Sequence, residues 1–312
     1  MKRVLIVGGT GLIGSYLSNK LRSKGYRVAV LSRTKKEEPE SLTFIWDEYH
    51  FNYVWDVNKK EIEKNAIELA DYIINLSGEN IGEKRWTKKR KQLIVASRVK
   101  TTELIFEKVS EQENKPKAYI SASAIGYYGA ISSDKIFQET DSPAKDFLGE
   151  TCRLWEQAAD RFEKSGIRTV KIRTGVVLTK QDGALAKMLK PVKMGVGSAL
   201  GNGKQYLPWI HIDDLCNIYI KALEDSEMHG AYNAVAPEHI TNKVFTGTLA
   251  RLLAKSLVFP NIPAFFMKII FGKMSDLLLK GSRVSSEKIV DAGYNCLYPD
   301  LESALMDLLY KE

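Results

Sequence analysis

At the start of this chain an apolar run passes directly into a glycine-rich loop and then a helical pattern: Val4-Leu5-Ile6-Val7-Gly8-Gly9-Thr10-Gly11-Leu12-Ile13-Gly14. Few short segments restrict a fold so strongly. Glycine at these spacings permits a tight turn, lets the backbone approach a pyrophosphate and lets the helix pack closely on its strand. The free N–H groups of the helix start then face the phosphates. Gly9, Gly11 and Gly14 satisfy G-x-G-x-x-G, while Gly8, Gly11 and Gly14 satisfy the looser G-x-x-G-x-x-G. The flanks agree, with a β-branched run before the loop and Leu12, Ile13, Tyr16, Leu17 and Leu21 on one helix face after it. The segment therefore reads as a dinucleotide cradle whose contacts are Gly8, Thr10, Gly11, Leu12, Ile13 and Gly14; an ordinary strand-to-helix turn is the alternative.

The second strand bears on which dinucleotide is held. Tyr26 to Leu31 is followed by Ser32-Arg33, where an NAD site places an acid for the ribose 2′-hydroxyl, and no acid appears before Glu37. A hydroxyl and a guanidinium suit a 2′-phosphate, because arginine presents a planar fork of donors to phosphate oxygens and stacks on adenine. NADP is expected, with Ser32 and Arg33 as its contacts. The competing view makes Arg33 a solvated loop residue beside Lys35 and Lys36.

The 312 residues are enough for two lobes. A net charge of +8 raises nucleic acid as a partner, but the only dense basic run is Lys84-Arg85-Trp86-Thr87-Lys88-Lys89-Arg90-Lys91 at a helix start, so none is expected. Cys152, Cys216 and Cys296 are far apart, odd in number and without a C-x-x-C pair, which fits a reducing cytoplasm. The N-terminal run does not read as a signal peptide. No apolar stretch approaches a membrane span, so no membrane partner is expected.

Further along, Thr43 to Asp56 is aromatic and mixed, and Ala70 to Gly78 reads as a buried strand ending in small residues that let a cofactor cross the sheet. That makes Leu76, Ser77 and Gly78 further contacts. A long amphipathic helix over 88–112 leads to the strand Lys117 to Ser121, where Ser121 and Ala122 complete the cofactor set. A helix over 146–165 and a strand over 168–173 follow. Strands alternating with helices predict an α/β, Rossmann-type, doubly wound parallel sheet. The cofactor domain spans 1–178, with 212–236 returning to it, and a smaller, mainly helical substrate lobe occupies chiefly 179–211 and 237–312. A short helix is expected over 183–189, Asp213 or Asp214 is the expected N-cap of a helix over 215–223, and Thr241 caps another through Lys255.

These segments together resemble the atypical, extended short-chain dehydrogenases/reductases of the epimerase family group, in particular their 39U group. The resemblance rests on Gly8 to Gly14, Asn75 to Ile81, Arg85-Trp86-Thr87, Ser121 to Gly129 and Phe147 to Cys152 with Trp155-Glu156. It continues through Arg173 to Leu178, Gly201 to Gln205, Trp209 to Asp214 and a C-terminal segment like a small domain of unknown function. Two departures lie in the second lobe: Lys255-Ser256 where relatives tend to have Arg-Pro, and Ser285-Ser286 where proline is common. The resemblance implies an NADP-binding oxidoreductase or epimerase. Catalytic members of the wider superfamily use a serine or threonine with Tyr-x-x-x-Lys on the following helix. Aligning Glu156 with the helix glutamate of that superfamily puts Leu148 at the tyrosine position and Cys152 at the lysine position. Neither can serve, since leucine carries no transferable proton and a thiol supplies no fixed positive charge.

Replacements must lie near the nicotinamide end. Ser123 matches the catalytic serine, with Tyr127 and Tyr128 as phenols on the same loop. Each has a plainer role as a hydrogen-bonding or packing residue. Cys152 reads more simply as a small buried hydrophobe, and His211 as a strand histidine rather than a general base. Glu150, Gln205 and Trp209 are the expected substrate contacts, and no His, Cys or Asp grouping has metal-ligand spacing. Two functional readings stand: a nucleotide-sugar-epimerase-like oxidoreductase acting on a small molecule, or a non-catalytic NADP(H)-binding sensor or scaffold. Either works as a monomer or homodimer.

Overall fold

The computed structural model describes residues 2–33 and 51–310, so Lys35, Lys36, Glu37 and the first part of the aromatic segment from Thr43 lie outside the described residues. Strand β1 (Arg3–Val7) passes through the glycine turn into α1 (Leu12–Ser23), and β2 (Arg27–Ser32) follows. Next come β3 (Phe51–Asp56), β4 (Glu61–Ile62), α2 (Lys64–Glu68), β5 (Tyr72–Asn75), α3 (Lys88–Ser110) and β6 (Ala118–Ala124). A 3-10 turn, Ile125–Tyr128, leads to β7 (Ser133–Phe137), α4 (Phe147–Lys164), β8 (Arg168–Thr174) and β9 (Val176–Leu178). The chain continues through α5 (Gly183–Lys193), β10 (Trp209–His211), α6 (Ile212–Glu224) and β11 (Gly230–Ala234). It finishes with α7 (Asn242–Leu252), α8 (Ala264–Phe271), α9 (Asp276–Leu279), β12 (Ser282–Val284), α10 (Glu287–Asp291) and α11 (Leu301–Tyr310).

The main sheet has the order β11-β8-β6-β5-β1-β2-β3-β4, parallel throughout except for the short antiparallel β3–β4 edge. Chain order reverses between β1 and β5, whose last residues Val7 and Asn75 are register partners. The glycine turn after β1 and Leu76 to Gly78 after β5 therefore face one another at the switch point, where open α/β sheets bind their ligands.

Alternation along β1 explains its unbroken apolar run. Val4 and Ile6 pack toward α1 and α6 with Leu17, Leu21, Leu215 and Tyr219, while Leu5 and Val7 pack toward the helices of the other face with Ile67, Leu104, Ile105 and Phe162. A strand covered on both faces has no polar side to show. Tyr119 of β6 stacks on Phe162 of α4 with centroids 3.7 Å apart, fixing α4 against the sheet.

A separate core unites Leu178, α5, Trp209, α7 and α11, and β9 pairs with β10 in a small parallel sheet of its own. A second small sheet, β12 with β7, straps the C-terminal segment to the loop after β6, a pairing with no signature in local periodicity. Helix α5 runs further than expected, to Lys193, carrying Pro191 inside it. The cap of α6 is also corrected: it begins at Ile212, and His211 accepts from the Asp213 N–H through Nδ1 at 3.1 Å. Asp214, offered as a cap, is buried and accepts instead from Tyr294 Oη (2.6 Å) and from the backbone N–H of Leu297 (2.7 Å) and Tyr298 (3.1 Å).

Candidate functional site

The turn after β1 leaves no room for side chains. Gly8 has φ +81°, and a Cβ there would lie 3.1 Å from the Leu76 carbonyl carbon and the Ser77 nitrogen. One on Gly14 would lie 2.5 Å from the Gly8 carbonyl oxygen. Helix α1 opens with Gly11 at its N-cap, no side chain caps it and no acid occupies its first turn. The first-turn N–H groups thus have no side-chain acceptor, as a phosphate site requires. Thr10 and Gly11 are exposed, Leu12 and Ile13 partly so, and Gly14 is buried under the turn. These residues fit a pyrophosphate.

Ser32 is buried at the end of β2, and Arg33 extends from it with its side chain 82% exposed, Nη1 reaching within 3.9 Å of Glu79 Oε1. Opposite, Ser77 Oγ donates to Asn75 Oδ1 (2.6 Å), while Asn75 Nδ2 donates to Tyr119 Oη (2.9 Å) and Thr102 Oγ1 (3.2 Å). This buried network holds the strand end while Gly78 stays exposed and Leu76 half-buried. Ser121 is buried with its hydroxyl donating to the Ala122 carbonyl at 3.0 Å, and Ala122 is partly open.

Beyond β6 the expected catalytic residues enter a buried ion-pair network. Ser123 Oγ donates to Glu156 Oε1 at 2.6 Å, and Arg173 grips both Glu156 oxygens through Nε and Nη2, each at 2.8 Å. Arg173 Nη1 donates to Tyr128 Oη (3.0 Å), and Tyr128 donates onward to Asn233 Oδ1 (2.7 Å). Burial pushes the Tyr128 phenol up to about 12, against the opposing pull of Arg173. Tyr128 is thus a buried connector. The Tyr127 ring lies under the same guanidinium, 3.5 Å from Cζ to centroid, and its hydroxyl bonds to none of the described residues. Cys152 is buried, and desolvation together with Glu156 raises its thiol to about 12, so it stays neutral. Leu148 packs beside Gly126.

Residues 4–235 match the model of the NAD dependent epimerase/dehydratase family, and residues 262–308 match a domain of unknown function, DUF1731. The chain belongs to the NAD dependent epimerase/dehydratase family. It is 36% identical to the epimerase family protein YfhF of Bacillus subtilis, over 98% of this chain and 97% of that protein. It is 33% identical to human epimerase family protein SDR39U1, over 98% and 99% of the two chains. The crystal structure of human SDR39U1 (isoform 2) with NADPH superposes with a TM-score of 0.87 at 32% identity, covering 99% of this chain and all (100%) of that one.

In this epimerase-family chain the three expected substrate residues are dispersed. Trp209 is fully buried in the core that also holds Leu178 and Phe245, which corrects its expected place as a substrate contact. Glu150 lies on the outer face of α4 in a surface ion pair with Arg153, 2.6 Å apart. Gln205 is buried and donates through Nε2 to the carbonyls of Leu200 (3.1 Å) and Leu278 (2.9 Å), stitching the second lobe together. His211 is the α6 cap described above, and burial holds its pKa below the ordinary value of 6.5. Among the described residues, His211, Asp213 and Asp307 are the one trio with ligand atoms close enough for a metal, within 4.8 Å. Lys20 already pairs with Asp213 at 2.7 Å, so the trio is accounted for without an ion.

Sequence reasoning passed over Arg173 and Asn233 as site residues. Tyr128 and Asn233 are 105 positions apart, so no local spacing marks them as partners. The one available signal was an arginine and a glutamate inside otherwise apolar strand and helix faces, since charges there must be paired.

Proposed function

We propose that this epimerase-family chain binds NADP(H) and acts on a small molecule held between its two lobes, as an epimerase-like oxidoreductase without the Tyr-x-x-x-Lys pair. The observation that carries the reading is the uncapped glycine turn beside a strand that ends in Ser32-Arg33 with no acid there. Arg33 can reach a 2′-phosphate, because its ion pair with Glu79 is long and its side chain is solvated. The NADPH in the human relative supports the same choice. The cofactor would supply the hydride, and Gly8 to Gly14, Leu76 to Gly78 and Ser121-Ala122 would hold and orient it. Calorimetric titration tests this: NADPH should bind more tightly than NADH, and Arg33→Ala should remove most of that preference, about ten-fold or more for a charge-assisted contact. Equal affinities for the two nucleotides would sink the assignment.

A second reading, a non-catalytic NADP(H) sensor or scaffold, is favoured by the buried state of Tyr128 and Cys152. Both are raised to about 12 by burial, so each holds its proton tightly at neutral pH. Tyr127 is then the remaining phenol next to Ser123. NADPH oxidation across a panel of carbonyl compounds separates the two: turnover that falls in Tyr127→Phe supports the enzyme, and none with any carbonyl supports the sensor. On either reading the partner is a small molecule, the protein is a monomer or homodimer, and its unpaired cysteines suit a reducing cytoplasm. No helix among the described residues is long and apolar enough to cross a membrane.

A further inference from the structure

Apolar surface is concentrated in one short stretch of the second lobe: eight of the eighteen large apolar side chains exposed among the described residues lie within 257–270. Helix α8 has two faces there. Met267 is buried on the inner one, with Ala264 and Phe271 half-buried beside it, while Phe265, Phe266, Ile269 and Ile270 on the other are 49–66% exposed. Val258 and Phe259, in the segment just before α8, are exposed as well. This stretch is tied down by its backbone: the Ile262 N–H donates to the Ala199 carbonyl and the Gly201 N–H donates to the Ile262 carbonyl, each at 2.8 Å, while Arg85 Nη2 donates to the Ile269 carbonyl at 2.6 Å. Single exposed apolar side chains are ordinary, but a set of them on one face of a fixed helix marks a contact surface.

Charge identifies the occupant. No acid stands between Arg251 and Asp276, whereas Lys255, Lys268 and Lys273 are all exposed and pair with no carboxylate among the described residues. A second copy meeting this face across a two-fold axis would bring the same lysines together with no acid to offset them. An amphipathic peptide needs a groove, but these side chains are themselves about half exposed or more, as on a protruding ridge. A ridge of phenylalanine and isoleucine bordered by lysines suits an anionic bilayer: the apolar side chains enter the acyl boundary, and the ammonium groups reach the headgroup phosphates on their flexible stems. The eight residues of α8 reach about 12 Å, far short of a span, so the helix would lie in the plane of one leaflet.

We propose that α8, with residues 257–262 before it, forms a peripheral docking surface for an anionic lipid bilayer. The expectation of no membrane partner rested on the lack of a spanning run, and a helix lying in the interface needs none. The surface includes no residue of the glycine cradle, so it stands apart from the NADP(H) reading and serves an enzyme or a sensor alike.

The test is co-sedimentation of the whole protein with vesicles of phosphatidylcholine alone and of phosphatidylcholine mixed with phosphatidylglycerol. The wild type should bind the mixed vesicles about ten-fold or more tightly than the neutral ones, and the difference should shrink as salt is raised. Phe265→Ser/Phe266→Ser/Ile269→Ser should weaken binding to the mixed vesicles about a hundred-fold or more, and Lys268→Glu/Lys273→Glu should remove most of the preference for them. Wild-type protein that stays in the supernatant with both vesicles, binds both equally, or binds as well after the serine substitutions overturns the proposal. A wild-type dimer that the serine variant splits, in sedimentation velocity, with no vesicle binding, assigns the face to a second copy and overturns it too. Should the serine variant not fold, Phe266→Trp replaces it: its added fluorescence should be quenched by brominated lipid in the mixed vesicles, and an unquenched indole on vesicle-bound protein excludes α8 as the contact.

Discussion

At the scale of single residues, the centre of the molecule is organised by a charge pair that local sequence does not announce. Glu156 and Arg173 have side chains only 8% and 4% exposed, so each would be an uncompensated buried charge without the other. Ser123, Tyr128 and the Glu139 carbonyl complete their hydrogen bonding. Removing one charge should therefore cost far more than the net worth of the pair: Glu156→Leu is expected to lower stability by about 3–5 kcal/mol in urea denaturation. The double variant Glu156→Leu/Arg173→Met, which leaves no orphan charge, should be less destabilised than Glu156→Leu alone. A double variant that loses the sum of the two single losses would contradict this account. Ser123 was legible as a site residue from its loop, but its acceptor was not, because Glu156 lies 33 positions away on α4.

At the scale of elements, the junction of β1 with α1 shows how a motif becomes a surface. The contact between Gly14 and the turn is closer than any side chain allows, with Gly9 Cα only 2.6 Å from a would-be Cβ. Gly14→Ala should lift α1 off β1, costing about 1–3 kcal/mol by overpacking and weakening dinucleotide binding, measured by thermal melting and calorimetry. Gly25→Asn is the matched control. Its φ of +82° tolerates asparagine and nothing lies within 4 Å of a Cβ, so binding should be unchanged. Equal loss of binding in both variants would mean that the close packing at Gly14 is not what shapes the cradle. The helix and its turn were readable because the close contact of Gly14 lies within the turn itself. The end of α5 was not, because Pro191 signals a break that the packing of Val192 in the second-lobe core overrides.

Across the whole molecule, the C-terminal segment is clamped to α6 through Asp214 and through His211, whose ring lies 3.9 Å from that of Tyr298. Burial lowers the His211 pKa, with Lys20 adding to the effect and Asp213, Asp307 and Asp214 opposing it. Nδ1 is also the acceptor for the α6 cap, so protonation there removes a hydrogen bond. The sign follows. The unfolded chain protonates this histidine at its ordinary value of 6.5 and the folded chain only at lower pH, so the contribution to stability is complete above 6.5 and is lost as pH falls toward the depressed folded value. The loss is about 1.4 kcal/mol for each unit of depression. His211→Asn keeps a cap acceptor and cannot titrate, so its stability in urea should fall less than that of the wild type between about pH 7.5 and pH 5. Identical pH slopes would exclude His211 as the source.

What this chain determines by sequence alone is whatever rests on neighbours a few positions apart. The glycine turn, the twofold-buried strands and the cap of α4 by Asp146, which accepts from the Gly149 N–H at 2.9 Å, are of this kind. They were enough for the doubly wound sheet and for the glycine turn between β1 and α1. Tertiary structure alone decided what faces what across the sheet. It turned Tyr128 inward to Asn233, drew Trp209 into the core, made His211 a cap and set Arg98 beneath Gly78. The reason is physical: a turn or a cap is satisfied within its own segment, whereas a buried charge or phenol takes whichever partner the closed fold brings within hydrogen-bonding distance.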